Sequence, residues 1–186
     1  MKQWIASLVL VVSLTQLPAL AQTPTPGKPE FTVSPMRIAT LKDTAYMYQT
    51  EQVTLATIGP IIDKHMNEMT SAMKDGAFSP TGPPIIVYHG ASTDPEKQFT
   101  VDLGFPVADT ATAGGDFQLG KVKGVMSATA VFTGPMSQIR QAYVRLFAQL
   151  IAAGHTPTDE RRERYLYWEG ADSTNNVVLI EIELQN

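Results

Sequence analysis

Two stretches of this chain carry apolar residues at helical spacing, and each is framed by short extended runs. The first set begins with Thr44 to Thr54, which reads as a strand and runs into Gly59-Pro60. There Ile58, Ile62, Met66, Met69 and Met73 recur every three or four residues until Gly76, predicting an amphipathic helix closed by glycine. Pro83-Pro84, the apolar run Ile85 to Tyr88, a turn with Gly90, Ser92, Asp94 and Pro95, and a second run from Gln98 to Val107 then predict two strands joined by a loop.

After a Gly/Ala/Thr-rich separator, Asp109 to Asp116, the same order of events returns. Val125 to Thr133 is strand-like, and Gly134-Pro135 opens a helix. Its apolar residues Met136, Ile139, Tyr143, Leu146, Phe147, Leu150 and Ile151 share one stripe, and Gly154 closes it. Arg164 to Trp168 reads as a strand, Gly170 to Asn176 as a turn, and Val177 to Leu184 as the last strand, where alternating Glu181 and Glu183 suggest a solvated face. A repeat of both punctuation and periodicity, about 75 residues apart at the Gly-Pro pairs, argues for a duplicated unit. The expected fold is α+β: two strand-helix-strand-strand repeats, about 42–108 and 121–186, related by a pseudo-twofold axis. Neither half can bury its apolar faces alone, so the halves should join into one antiparallel sheet with two helices packed on one side, leaving a cleft between them.

The first residues change the picture of where such a domain works. Lys2, the apolar run Ile5 to Leu14 and Ala19-Leu20-Ala21 have the order of an export signal, with cleavage expected after Ala21. The run is too short to span a membrane, which takes roughly 20 apolar residues. Residues 22–41, with Pro24, Pro26, Gly27 and Pro29, read as a linker and lead-in, and 42–186 as the folded domain. The protein is expected in the periplasm or secreted. Cysteine is absent, so neither a disulfide nor a lipidated cysteine is available, and the core must hold the domain. Loss of Lys2 with the leader takes the net charge from -4 to -5, which disfavours nucleic acid and mildly favours cations.

Strand alternation places Glu163, Tyr165 and Tyr167 on one face and Arg164, Leu166 and Trp168 on the other. A carboxylate beside phenol rings suits an organic cation, because the rings attract positive charge and the carboxylate supplies the countercharge. Tyr88, near the end of the matching first-half strand, would face the same cleft if the repeats are symmetric. The plainer alternative is a surface ion pair between Glu163 and Arg161, Arg162 or Arg164. Tyr143 lies on a stripe where core packing is the ordinary role, and Trp168 and Glu169 read more readily as rim. His65 and Glu68 lie three apart on the first helix, but His89 and His155 form no zinc-like spacing with them, so no metal and no cofactor are expected. No Gly-x-Ser-x-Gly elbow, phosphate loop or cysteine nucleophile occurs.

The segments Phe132-Thr133-Gly134-Pro135, Ala142-Tyr143, Gly154 and Arg162-Glu163-Arg164-Tyr165-Leu166, with Leu103-Gly104-Phe105-Pro106-Val107 in the first half, resemble the gyrase-inhibitor-like (GyrI-like) family, the AraC-type effector-binding domains. The resemblance runs from about residue 40 to the C-terminus. It implies two strand-helix-strand-strand modules around a ligand cleft that borders the second helix, as in the sensing domains of multidrug-responsive regulators. It also implies that Glu163 of the Glu-x-Tyr segment contacts cationic aromatic molecules. Met136 departs from the tyrosine frequent after Gly-Pro in that family. Only about 20 residues separate Ala21 from the first expected strand, too few for a helix-turn-helix. The expected function is exported binding of a small organic, cationic molecule through Glu163, Tyr165, Tyr167, Tyr88, Tyr143 and Trp168. The alternatives are a hydrolase of strained electrophiles, with Glu163 or Glu169 activating water, and an envelope protein-interaction module.

Overall fold

The computed structural model describes residues 31–91 and 94–185. The expected leader with its cut after Ala21, residues 22–30 of the linker, and Ser92 lie outside the described residues. The strands are β1 (Thr32–Val33), β2 (Arg37–Thr40), β3 (Thr44–Val53), β4 (Ile85–His89), β5 (Phe99–Pro106), β6 (Gln118–Val122), β7 (Met126–Thr133), β8 (Pro157–Tyr167) and β9 (Val177–Leu184). The helices are α1 (Ile58–Lys74) and α2 (Ile139–Ala152), the latter entered through a 3-10 turn at Met136–Gln138. Among the described residues the nine strands join one sheet in the order β1-β7-β9-β8-β4-β5-β3-β6, with β2 also on β7, and their pairings are antiparallel.

Read outward from the middle, the order shows the duplication. The first half runs β4, β5, β3 and the second β8, β9, β7, so the halves meet where β4 pairs β8. At that seam Val87 pairs Arg162, and Ile86 pairs Glu163. Val87 and Arg162 are equivalent positions, as are Tyr88 and Glu163, which lie 75 residues apart. The local twofold axis therefore passes through the Val87–Arg162 pair.

The sheet must also curl. Strands β6 and β7 stand six steps apart, about 29 Å in a flat sheet at ~4.8 Å per step. Yet four Cα steps, from Val122 to Met126, carry the chain between them, and these reach at most about 14 Å. The edges thus approach one another, and Arg162 from the centre of the sheet reaches the crossing segment, donating from Nη1 to the Lys123 carbonyl at 2.8 Å.

One sheet face packs against the helices. Val101, Leu103, Ala128, Phe132, Val178, Ile180 and Ile182 line it, and α2 adds Ala142, Leu146 and Leu150 at a spacing of four. Each large side chain fully buried this way contributes about 1.5–3 kcal/mol. Helix α2 ends as expected: Gly154 takes a positive φ of 76°, and the His155 amide returns to the Leu150 carbonyl. Helix α1 is held differently. It buries only His65 and Met69, and His65 sets Nδ1 2.6 Å from Gln49 Oε1 and Nε2 2.8 Å from Glu51 Oε1 on β3.

Three expectations are corrected. The ordered chain begins before residue 42: Phe31 is buried, and β1 and β2 pair with β7. The segment after Asp116 contributes a strand, β6, on the edge beside β3. Glu181 is not solvated but 2% exposed, because the curl covers its face and Arg164 Nε reaches it at 2.8 Å.

Candidate functional site

Strand β8 lies at the seam, and its alternation turns Glu163 toward the helices between Ile86 of β4 and Ile180 of β9. Glu163 is 3% exposed. Three phenols donate to it: Tyr143 from α2 to Oε1 at 2.8 Å, and Tyr88 of β4 and Tyr165 of β8 to Oε2, each at 2.8 Å. Tyr165 is two residues away on the same strand, placed by alternation, whereas Tyr88 and Tyr143, 75 and 20 residues away, are brought in by the fold. Their rings are steadied in turn. Tyr88 lies 6.4 Å from Phe99, Tyr143 6.4 Å from Phe147, and Trp168 meets the Tyr165 ring edge-on at 5.5 Å.

The electrostatics follow from burial. Loss of water holds the Glu163 carboxyl above its ordinary value, and the three phenol hydrogen bonds oppose this without cancelling it. Burial, followed by the Glu163 charge, pushes all three phenols well above the usual tyrosine range. The phenols therefore remain donors, and the cage holds one acid among neutral groups. No arginine pairs with this carboxylate among the described residues: Arg162 lies near Glu183 and Arg164 holds Glu181. Arg161 shares the cage side but sets its guanidinium over the Phe147 ring, 5.0 Å from the centroid. An isolated ionised group out of water is costly unless something compensates it, and here three phenol hydrogen bonds do so directly.

Of the residues expected at the site, Glu163, Tyr165, Tyr88 and Tyr143 come together. Tyr167 does not. A register shift between Tyr165 and Tyr167 breaks the alternation, leaving Tyr167 half exposed and bonded to Glu169 Oε1. Glu169 organises the β8–β9 turn, accepting also from Ser173 and Asn175. Trp168 is 40% exposed and meets the cage at the Tyr165 ring.

A family profile described as the GyrI-like small molecule binding domain matches residues 34–185. The chain belongs to the GyrI-like family. Solved structures agree on the fold. EcmrR in a DNA complex matches with a TM-score of 0.62 at 16% identity, over 84% of this chain and 58% of that chain, so this protein spans little more than half of it. SAV2435 bound to tetraphenylphosphonium matches with a TM-score of 0.61 at 9% identity, over 81% of this chain and 94% of that one. A hydrolase encoded by lin2189 from Listeria innocua matches with a TM-score of 0.53 at 8% identity, over 81% and 91%. At these identities the likeness is one of fold. No curated protein matches the chain. As a GyrI-like domain the chain is of small-molecule-binding type, and the Glu163 cage lies at the junction of its two modules.

Proposed function

We propose that this GyrI-like domain captures organic cations outside the cytoplasm, with Glu163 as countercharge and Tyr88, Tyr143 and Tyr165 as the aromatic wall. One observation carries the reading: Glu163 is buried and hydrogen-bonded by phenols, and among the described residues no cationic group pairs with it, the nearby Arg161 lying over Phe147 instead. A ligand cation supplies the missing charge, and phenol faces add attraction of about 0.5–2 kcal/mol. The tetraphenylphosphonium held by SAV2435 makes that compound a natural probe. Because Glu163 is 3% exposed, a ligand reaches it only when part of the cover moves. Tyr143 of α2 is part of that cover, and Ile58, Ile61 and Ile62 of α1 pack on the core cluster that includes Tyr165. The export part rests on Lys2, the apolar run Ile5 to Leu14 and Ala19-Leu20-Ala21.

Calorimetric titration of the purified protein with tetraphenylphosphonium tests the proposal. Two opposite charges about 5 Å apart at an effective dielectric of ~20 attract by about 3 kcal/mol. Glu163→Gln should therefore weaken binding about 100-fold; equal affinity in both proteins would end the reading. A second reading, hydrolysis, is favoured by the raised Glu163 carboxyl, since a general base works best when shifted toward neutral pH. Product formed from an electrophilic substrate, and lost in Glu163→Gln, would separate turnover from capture.

A further inference from the structure

The opposite face of the sheet, on the inside of the curl, holds a cavity of about 320 Å³. It is separated from the Glu163 cage by the sheet itself, because Val87, His89 and Arg162 alternate away from Tyr88 and Glu163. Its wall is aromatic and apolar. The Tyr46 and Tyr48 rings stack with centroids 5.1 Å apart and planes 7° from parallel, beside Val87, Val122 and Val125. Two glycines permit the stack. Gly104 sits opposite Tyr48 and Gly120 opposite Tyr46. A Cβ on Gly104 would fall 2.1 Å from the Met47 carbonyl oxygen, and one on Gly120 3.0 Å from Tyr48 Cε1.

The charges around this wall are unevenly committed. His89 sets Nε2 2.8 Å from Asp102 and Nδ1 2.7 Å from Glu160, and Thr50 donates to the remaining Asp102 oxygen at 2.7 Å. Both carboxylates are thus engaged with groups of the protein. Arg162 is held more loosely: its side chain is 6% exposed, Nη1 donates to the Lys123 carbonyl, and Nη2 makes only a long ion pair with Glu183 at 3.7 Å, beyond hydrogen-bond reach, with Glu181 and Glu160 also near enough to act on its charge. A guanidinium has five N–H donors, so most of its capacity is open. Lys121 and Lys123, both exposed, are also part of the lining, and among the described residues no carboxylate pairs with either.

We propose that this cavity is a second binding site, for a flat organic anion whose carboxylate meets Arg162 and Lys123 while its ring lies along Tyr48. The guanidinium fork matches a carboxylate in two-point contact. The exposed lysines supply attraction that salt screens. The two faces of the sheet then take opposite charges, an organic cation at Glu163 and an organic anion behind it.

Calorimetric titration of the full chain with 2-naphthoate at low salt tests this, with its uncharged methyl ester as the comparison. The acid should bind one to one, and the ester about tenfold more weakly. Lys123→Glu, at an exposed position, and Tyr48→Leu should each cost about tenfold, whereas Glu163→Gln should leave 2-naphthoate binding unchanged. Arg162→Gln should cost more, and because Arg162 is buried, the Lys123 and Tyr48 variants keep the test decisive if that protein fails to fold. The proposal is overturned by an ester that binds as tightly as the acid, by Lys123→Glu without effect, by loss of binding in Glu163→Gln, or by no binding at millimolar acid. Failure here leaves the cation site standing, since that is read with a different probe and a different variant.

Discussion

Replacing Tyr143 with phenylalanine keeps the ring and removes one donor to Glu163. Carboxylate Oε1 takes its hydrogen bond from Tyr143, whereas Oε2 takes two, from Tyr88 and Tyr165. The substitution therefore leaves Oε1 bare. A hydrogen bond to a charged group contributes about 1.5–3 kcal/mol, so Tyr143→Phe should cost about 2 kcal/mol while Glu163 is ionised. For a chain of this size that lowers Tm by about 6 °C. With Glu163 protonated the bond joins neutral groups and contributes about 1 kcal/mol. Burial holds the folded Glu163 above its ordinary value, so the native state keeps its proton to higher pH than the unfolded chain does. Stability conferred at this site is thus greatest below the unfolded value, declines as pH rises through the folded value, and then levels off. Loss of a donor raises the folded value further, so the deficit of the variant should widen with pH over that range. Urea unfolding followed by far-ultraviolet circular dichroism, from about pH 4 to about pH 8, measures it. A deficit equal at every pH would refute the claim that this phenol serves an ionising carboxylate. In a Glu163→Gln background the same substitution should lose its pH dependence.

For a His89 variant the deficit should change with pH in the other direction, narrowing rather than widening. Hydrogen bonds to Asp102 and Glu160 raise it from 6.5 to about 10, so its contribution is complete below about 6.5 and disappears as pH rises toward 10. The stability gap between the native protein and His89→Gln, read by urea unfolding, should close across that window. Gly104→Ala should cost at least about 3 kcal/mol or prevent folding, because its Cβ meets backbone at 2.1 Å; a soluble variant with an unchanged urea midpoint would show that β3 and β5 can part at no cost.

Much of this was legible in residue order. Both helices announce themselves through apolar spacing and a closing glycine, and the symmetry of the repeats puts Tyr88 on the same cleft as Glu163, while their direct hydrogen bond is a matter of geometry. Strand β8 was legible only from Arg164 onward. Its first half, Pro157 to Glu163, carries charge toward both faces, since Glu163 and Arg161 turn to the helices while Glu160 and Arg162 turn into the curl. A strand charged on both sides has no hydrophobic alternation to read. Strands β1 and β2 hold two and four residues and depend on β7 for partners, so their stability is not local. The exclusion of Tyr167 depends on a bulge, which leaves no mark in a pattern of residue types. For Tyr143, packing and hydrogen bonding to a distant acid predict the same position on the same stripe, and only geometry separates them.

The place of Tyr88 and Glu163 says something about why two modules share one polypeptide. Were the domain assembled from a pair of identical chains, whatever occupied one position would meet its own copy: carboxylate against carboxylate, or phenol against phenol. The first arrangement repels and the second has no acid to serve. Covalent linkage lets the twin positions diverge, one becoming the acceptor and the other its donor at 2.8 Å.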